Sequence, residues 1–443
     1  MSCLASQVFA SGFAIQEQNV TNLGLAYSGT AALAEDASTG YYNPAGLVRL
    51  GESEIVLSGI IIQGDFDFTA TSATSSFSPP VGGPVSGSNQ DDPGTTNFVP
   101  TLHLSKRIDD RWVFGFSVTS PFGLNSEYRE DGIARYTATR SSVKTIDISP
   151  SLAYEILPCL AAGLGLDAQY VRADLNTQVG GGVVGTDGFQ KNHATGWGYG
   201  WHAGILWAAF DRTRVGLNYR SHINLHLEGN SENLVSNFQF GGAPLFPATA
   251  GVYHLQRVRA NVTVPETWTL SLYQDFSERI AMTADVAWTN WSRFHNLRLR
   301  YEPGFSTAID PRVGGVTAGL DTDTAEHFKD SRRYALGLIF KQCDTWTWKA
   351  GVAFDETPVR DTFRTARVPD SDRIWVALGA AYTYSPDLKV DFGYAHLFFD
   401  DASLNERAPF VAQTQTPISA ASLAGNYSSS ANIVGIQIRY DFV

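Results

Sequence analysis

Between Val434 and Phe442 the chain alternates without interruption. Val434, Ile436, Ile438, Tyr440 and Phe442 fall on one face of an extended strand, and Gly435, Gln437, Arg439 and Asp441 fall on the other. An arginine and an aspartate opposed to large apolar side chains favour a wet lumen over a protein core. The pattern recurs. Leu160, Ala162, Leu164, Leu166, Ala168 and Tyr170 oppose Gly163, Gly165, Asp167 and Gln169; Trp346, Trp348, Ala350, Val352 and Phe354 oppose Thr347, Lys349, Gly351, Ala353 and Asp355. Ile374, Val376, Leu378, Ala380, Tyr382 and Tyr384 likewise oppose Trp375, Ala377, Gly379, Ala381 and Thr383. Runs of about 9–11 residues with an apolar outer face span a bilayer as strands of a closed barrel, the one sheet in which every backbone group is paired in hydrocarbon. Trp and Tyr at the ends of these runs suit interfacial girdles.

Composition removes the alternatives. No run of about 18 apolar residues occurs, so spanning helices are excluded. The 443 residues show no linker or shift in composition after residue 50, which favours one large architecture. With 32 basic against 44 acidic residues the net charge is −12, which argues against nucleic acid or anionic lipid as partners and leaves a soluble acidic β protein as the plain rival. Cys3, Cys159 and Cys343 make neither a metal spacing nor a disulfide framework. Residues 1–10 are read as a residual signal peptide, with Val8-Phe9-Ala10 as the small-residue cleavage pattern before Ser11.

The connections alternate as well. Short turns are expected at Ile108–Arg111, Leu157-Pro158, Phe210–Arg212, Phe276–Glu278, Gln342–Asp344 and Ser385–Asp387. Between them come long Gly/Ser/Pro/Asn segments, Thr69–Thr96, Val179–Ala194, Gly229–Gln256 and Asp400–Gly425. Short periplasmic turns and long external loops predict a transmembrane antiparallel β-barrel of about fourteen strands over 53–443, with both ends periplasmic. Before it, Gly12–Leu50 lacks any sustained period of two and carries helix-compatible pieces such as Gly29–Ala37. Residues 11–52 are therefore expected to fold compactly as a plug, or hatch, in the lumen.

At this point the residues resemble the long-chain fatty acid transporter family of Gram-negative outer membranes, which includes aromatic-hydrocarbon channels. The resemblance runs from Ser11 to Val443. It rests on Gly12-Phe13, Leu23–Gly29, Ala34–Ala37, Asn43-Pro44-Ala45, Thr119–Leu124, Val264–Trp268 and Phe328–Asp330, and then on Pro358, Arg364–Arg367, Pro369–Arg373 and Asp391–Tyr394. It implies a fourteen-stranded barrel, a hatch, and a kinked third strand that opens a lateral gap toward the bilayer. It also implies passive uptake of a hydrophobic ligand in a bacterial outer membrane, amid its lipid and lipopolysaccharide. Assembly by the barrel-assembly machinery, a monomer, and neither cofactor nor metal are implied too.

The resemblance assigns Asn43, Pro44 and Ala45 to a hatch corner, which Pro44 stiffens by fixing its own φ and biasing Asn43 toward extended geometry. Ser120, Pro121, Phe122 and Gly123 match the kink, where proline removes a ladder donor and glycine permits a bend. Phe13 matches a phenylalanine that reaches into the substrate pocket. An anionic ligand needs a buried cation, and Arg172, Arg220, Lys349 and Arg439 are the lumenal candidates. Each could equally belong to a salt-bridge network with Asp167, Asp285, Asp355 or Asp441. No basic residue stands just after Leu175 or just before Glu326, where the family's fatty-acid-gripping residues lie. The histidines are scattered, and His222 with His226 makes no metal site on its own, so no catalytic constellation supports an enzyme. A polar porin is the closer rival, although it has no reason to keep a plug; a surface receptor or adhesin would rest on the loops alone.

Overall fold

The computed structural model describes residues 11–75, 83–179, 187–235, 239–240, 243–244, 252–302, 308–310, 315–317, 321–407, 410–411 and 421–442. The expected signal peptide with Cys3 lies outside them. Fourteen antiparallel strands form the barrel. They are β1 Ser53–Thr74, β2 Thr96–Arg107, β3 Trp112–Thr119 continued by Gly123–Glu127, β4 Arg140–Leu157, β5 Leu160–Val179, β6 Gly188–Phe210, and β7 Thr213–Arg220 continued by Ile223–Val235. There follow β8 Val252–Val264 with Thr267–Asp275, β9 Ile280–Thr289 with Asn296–Tyr301, and β10 Thr322–Ala325 with Ser331–Lys341. The set ends with β11 Trp346–Asp355, β12 Arg373–Ser385, β13 Leu388–Phe399 with Ala402–Arg407, and β14 Ser422–Phe442. Each pairs with its neighbour in sequence, and β14 pairs with β1 from Ser53↔Phe442 to Thr74↔Ser422, which closes the sheet into a cylinder.

The alternating faces stand as the sequence writes them. Leu166, Leu378 and Ile436 are 62%, 61% and 49% exposed on the outer face, whereas Gln437, Arg439 and Asp391 are buried inside. The six short turns lie where expected, between β2 and β3, β4 and β5, β6 and β7, β8 and β9, β10 and β11, and β12 and β13. The long loops are shorter than expected. β1 runs on to Thr74, β5 to Val179, β7 to Val235 and β13 to Arg407, into segments read from sequence as loop. Above the bilayer a ladder still pairs, but its outer face need not be apolar, so the period-two signal fades while the strand continues.

Residues 11–52 lie inside this wall. Only short helical pieces form there, a four-residue α-helix at Thr39–Tyr42 and 3-10 turns at Leu23–Leu25 and Pro44–Arg49. Most of residues 11–48 are buried, and Arg49, Gly51 and Glu52 are exposed where the segment meets β1.

Candidate functional site

Asn43 is extended, with φ −160° and ψ 102°, and its Oδ1 accepts from the amide of Ala45 at 3.1 Å while Pro44 begins the 3-10 turn. Its Nδ2 donates to the carbonyls of Ala31, at 2.7 Å, and of Ile205 in β6, at 3.1 Å. The corner thus joins two parts of the hatch to the wall. The wall admits it by lacking side chains there: a Cβ on Gly163 would meet Pro44 and the Ala45 amide, and one on Gly204 would meet the Asn43 carboxamide.

Charged side chains from the wall reach the hatch at many points. Lys349 Nζ lies 2.8 Å from Glu35 and 3.2 Å from the Thr21 carbonyl. Arg439 lies 3.2 Å from Glu35 and 2.8 Å from Asp391. Arg220 donates to Asp167 at 2.6 Å and to the carbonyl of Tyr41 at 2.9 Å. Asp285 accepts from the Gly29 amide at 2.7 Å and the Thr30 hydroxyl at 2.6 Å. Three of the four candidate cations therefore clamp hatch to wall, and none of the three lines the apolar pocket described below. The fourth, Arg172, does not face the lumen: it sits half-exposed on the outer face beside Asp174, at 3.1 Å, because β5 at that height has left the apolar stretch and carries polar groups outward.

The third strand breaks where Ser120, Pro121, Phe122 and Gly123 stand. β2 pairs with β3 from Arg107↔Val113 to Leu102↔Val118, and above that Gly123–Glu127 pairs with β4 alone. The freed backbone groups are met by the hatch. Gln18 takes the Ser120 amide on its Oε1 and donates to the Ser120 carbonyl, each at 2.9 Å. The Ile15 amide donates to the Pro121 carbonyl and the Gly123 amide to the Phe13 carbonyl, both at 2.8 Å. Thr145 of β4 holds the other side of the kink, taking the Phe122 amide at 3.0 Å and donating to its carbonyl at 2.6 Å.

Above the hatch lies a partly enclosed cavity. Its wall is apolar except for Thr145, Asn192, Glu326 and Arg367, and it runs from Val143 and Val171 through Leu225 and Leu227 to Val262 and Leu299. Phe13 and Phe122 form its floor, their ring centroids 5.9 Å apart. Phe13 also sits 4.7 Å from Trp291 and 5.5 Å from Phe294, so its ring is held on three sides by aromatic edges. Gly12 anchors it by donating to Asp370 at 2.9 Å.

Two charged residues line this cavity, Arg367 and Glu326, and neither stands among the site residues expected from the sequence. Arg367, on the inward-folded segment 356–372, donates to Ser141 Oγ at 2.9 Å and to the Asn176 carbonyl at 3.4 Å. Glu326, between the two parts of β10, is buried with its Oε2 unpartnered among the described residues. Burial, and then the nearby Glu406, push its carboxyl up to about 8, against the pull of Arg367. Both belong to segments without periodicity; the Arg364–Arg367 run and the position beside Glu326 were the only signals.

Comparison with known proteins agrees with this geometry. The family model for outer membrane protein transport proteins (OMPP1/FadL/TodX) matches residues 1–442. The chain is 29% identical over 435 residues to the long-chain fatty acid transport protein of Escherichia coli K12, covering 92% of each, and 26% identical over 474 residues to outer membrane protein P1 of Haemophilus influenzae, covering 98% of this chain and 95% of that one. Its fold is similar to that of a Pseudomonas aeruginosa FadL homologue, with a TM-score of 0.82 at 22% identity over 98% of this chain and 100% of that one. The Pseudomonas putida toluene transporter TodX follows with a TM-score of 0.69 at 15% identity, at the same coverage. The chain, with its hatch docked on a broken third strand, belongs to the OMPP1/FadL/TodX family of bacterial outer-membrane transport proteins.

Proposed function

We propose that this protein takes up a hydrophobic molecule, a long-chain fatty acid or a related hydrocarbon, by passive binding in the apolar cavity and lateral release through the β3 break. One observation carries the reading: Phe13 lines the cavity with its ring and caps the broken strand with its carbonyl. A ligand that displaces the ring therefore strains the bond to Gly123. The magnitudes permit it. Burying about 400 Å² of alkyl surface yields roughly 10 kcal/mol at about 25 cal/mol per Å². The hydrogen bonds between residues 13–18 and the kink contribute about 1 kcal/mol each.

A fatty acid would place its carboxylate toward Arg367, the one cation on the cavity wall among the described residues. Phe13, Asn43–Ala45 and Ser120–Gly123 are the gating residues of this reading. Gly123→Ile fills the gap while leaving the barrel closed, and uptake of radiolabelled hexadecanoate by cells making it is expected to fall at least threefold. Uptake equal to the parent protein at equal surface abundance would overturn the route at β3.

A further inference from the structure

The wall is broken a second time. β8 and β9 pair from Asp275↔Ala281 to Thr267↔Thr289, and again from Ala260↔Leu299 to Val258↔Tyr301. Between these ladders one backbone bond remains, from the Asn290 amide to the Glu266 carbonyl, and the Glu266 carboxylate accepts from Asn290 Nδ2 at 2.7 Å and from Arg293 across the same break. Among the described residues no ladder joins 261–265 to 291–298, although each stretch stays paired on its other side, 261–264 to β7 and 296–298 to β10. Pro265 supplies no donor, and the 3-10 turn Trp291–Arg293 carries β9 out of register.

This break has an inside and an outside. Inside, Val262, Val264, Phe294 and Leu297 line the apolar cavity. Outside, His222, Asn224, Thr263, Ser292, Arg293 and His295 line a separate polar recess. The two hollows share the stretch 292–297 of β9, whose Phe294 and Leu297 line the cavity and whose Ser292, Arg293 and His295 line the recess. The height is also telling. The break comes after nine residues of β8 and ten of β9, counted from their turn, which is the length that crosses hydrocarbon. Directly beneath it the rings of Trp201, Tyr219 and Trp268 stack outward at 4.9 and 4.5 Å, as an interfacial girdle does. Arg293 and the imidazoles of His222 and His295 thus stand at head-group level.

We propose that the β8–β9 break is a second lateral port of the same cavity, at the outer interface, through which an amphiphile with an anionic carboxylate head passes. Its alkyl chain lies along Val262, Val264 and Leu297 while its head crosses the recess. The recess offers such a head donors that now serve the wall itself: the Arg293 guanidinium and the Asn290 amide group, both bound to Glu266, and the Ser292 hydroxyl, bound to Asn290 Oδ1. Glu266, 2.5 Å from Arg293, offsets much of that charge, which suits a site that passes a ligand rather than one that stores it. Phe13 links the two breaks, touching Phe122 at β3 and Phe294 at β9. Withdrawal of one ring unpins both. The inference rests on the cavity being the transport site.

The test uses the full chain with Cys3, Cys159 and Cys343 replaced by serine, carrying Ser292→Cys and labelled in cells with a polyethylene-glycol maleimide. Uptake of radiolabelled hexadecanoate is expected to fall at least twofold on labelling. The same label on Tyr199→Cys, on the outer face of β6 just above the girdle residue Trp201, is expected to leave uptake unchanged. In the Gly123→Ile background the uptake that persists is expected to be abolished by labelling Ser292→Cys. Phe294→Ala, which removes the ring closing the port, is expected to raise uptake, and labelling at 292 to cancel the rise. Labelled and unlabelled Ser292→Cys proteins transporting alike would overturn the port and leave the β3 route standing; a parent protein that takes up no hexadecanoate would overturn both.

Discussion

The carboxamide oxygen of Asn43 occupies the space that a Cβ on Gly204 would need, so hatch and wall interlock at a position where neither has a side chain to spare. Gly204→Leu is expected to lift the corner off β6 while the β5–β6 and β6–β7 ladders hold the barrel closed. Overpacking of this kind costs about 1–3 kcal/mol. Planar-bilayer recordings are expected to show frequent openings of larger conductance than the parent, and deletion of 11–52 to make them permanent. Conductance unchanged in the deletion would refute a plug.

Phe13→Ala removes a buried ring from a cluster of Trp291, Phe294 and Phe122, a change that costs about 3–5 kcal/mol in a packed core. Affinity for a fluorescent fatty acid, followed by displacement, is expected to fall about tenfold, since both the cavity floor and the capped kink lose their common member. Phe13→Leu is expected to recover most of it.

Glu326 makes binding of an anionic ligand depend on pH. Held up to about 8, its carboxyl is neutral at pH 7 and ionises as the pH rises past that value. Arg367 favours the ionised form, while Glu406 opposes it. Fatty-acid affinity is therefore expected to weaken several-fold from pH 7 to pH 9.5, as a second negative charge meets the ligand's own, with the neighbouring Glu406, raised by burial to about 7, ionising ahead of Glu326. Glu326→Gln is expected to remove the part of the loss above pH 8, and Arg367→Ala to lower affinity at every pH. Binding of an uncharged alkane is expected to ignore all three changes.

Arg439 lies between Glu35 of the hatch and Asp391 of β13. Its removal leaves the buried Asp391 and the partly exposed Glu35 with Lys349 alone between them, and solvent at Glu35 keeps the loss below the cost of breaking a fully buried pair, about 3–5 kcal/mol. Arg439→Ala is expected to lower the temperature at which the protein changes gel mobility in detergent. Arg439→Lys is expected to restore part of the loss, and equal transition temperatures would show that the hatch does not need this clamp.

The transmembrane part of this fold was legible because lipid enforces it. Ile436 and Ile438 must face hydrocarbon and Gln437 and Arg439 must not, so the register is written in every second residue. The strand extensions above the bilayer carried no such mark, and Val179 and Arg407 passed for loop. At the site, Phe13, Asn43 and Ser120–Gly123 could be named from local motifs. Arg367 and Glu326 could not, since each reaches the cavity from an aperiodic segment whose inward fold depends on contacts far away in the chain. Arg220, Lys349 and Arg439 were seen as charges, but not as clamps, because their partners Tyr41, Thr21 and Glu35 lie in the hatch rather than on neighbouring strands.

The seam between β1 and β14 is laddered from Ser53 to Thr74 with one irregularity at Ala70/Ser72, whereas β3, β7, β8, β9 and β10 are interrupted near the outer interface and β13 at Asp400-Asp401. Mechanically the cylinder is therefore unequal around its girth. The seam of β14 on β1 and the continuous β4, β5 and β6 are its stiff members, and the arc from β7 to β10 is its compliant one. Swelling of the cavity by a bulky guest is absorbed by that compliant arc, and the closed seam keeps the cylinder from unrolling while it happens.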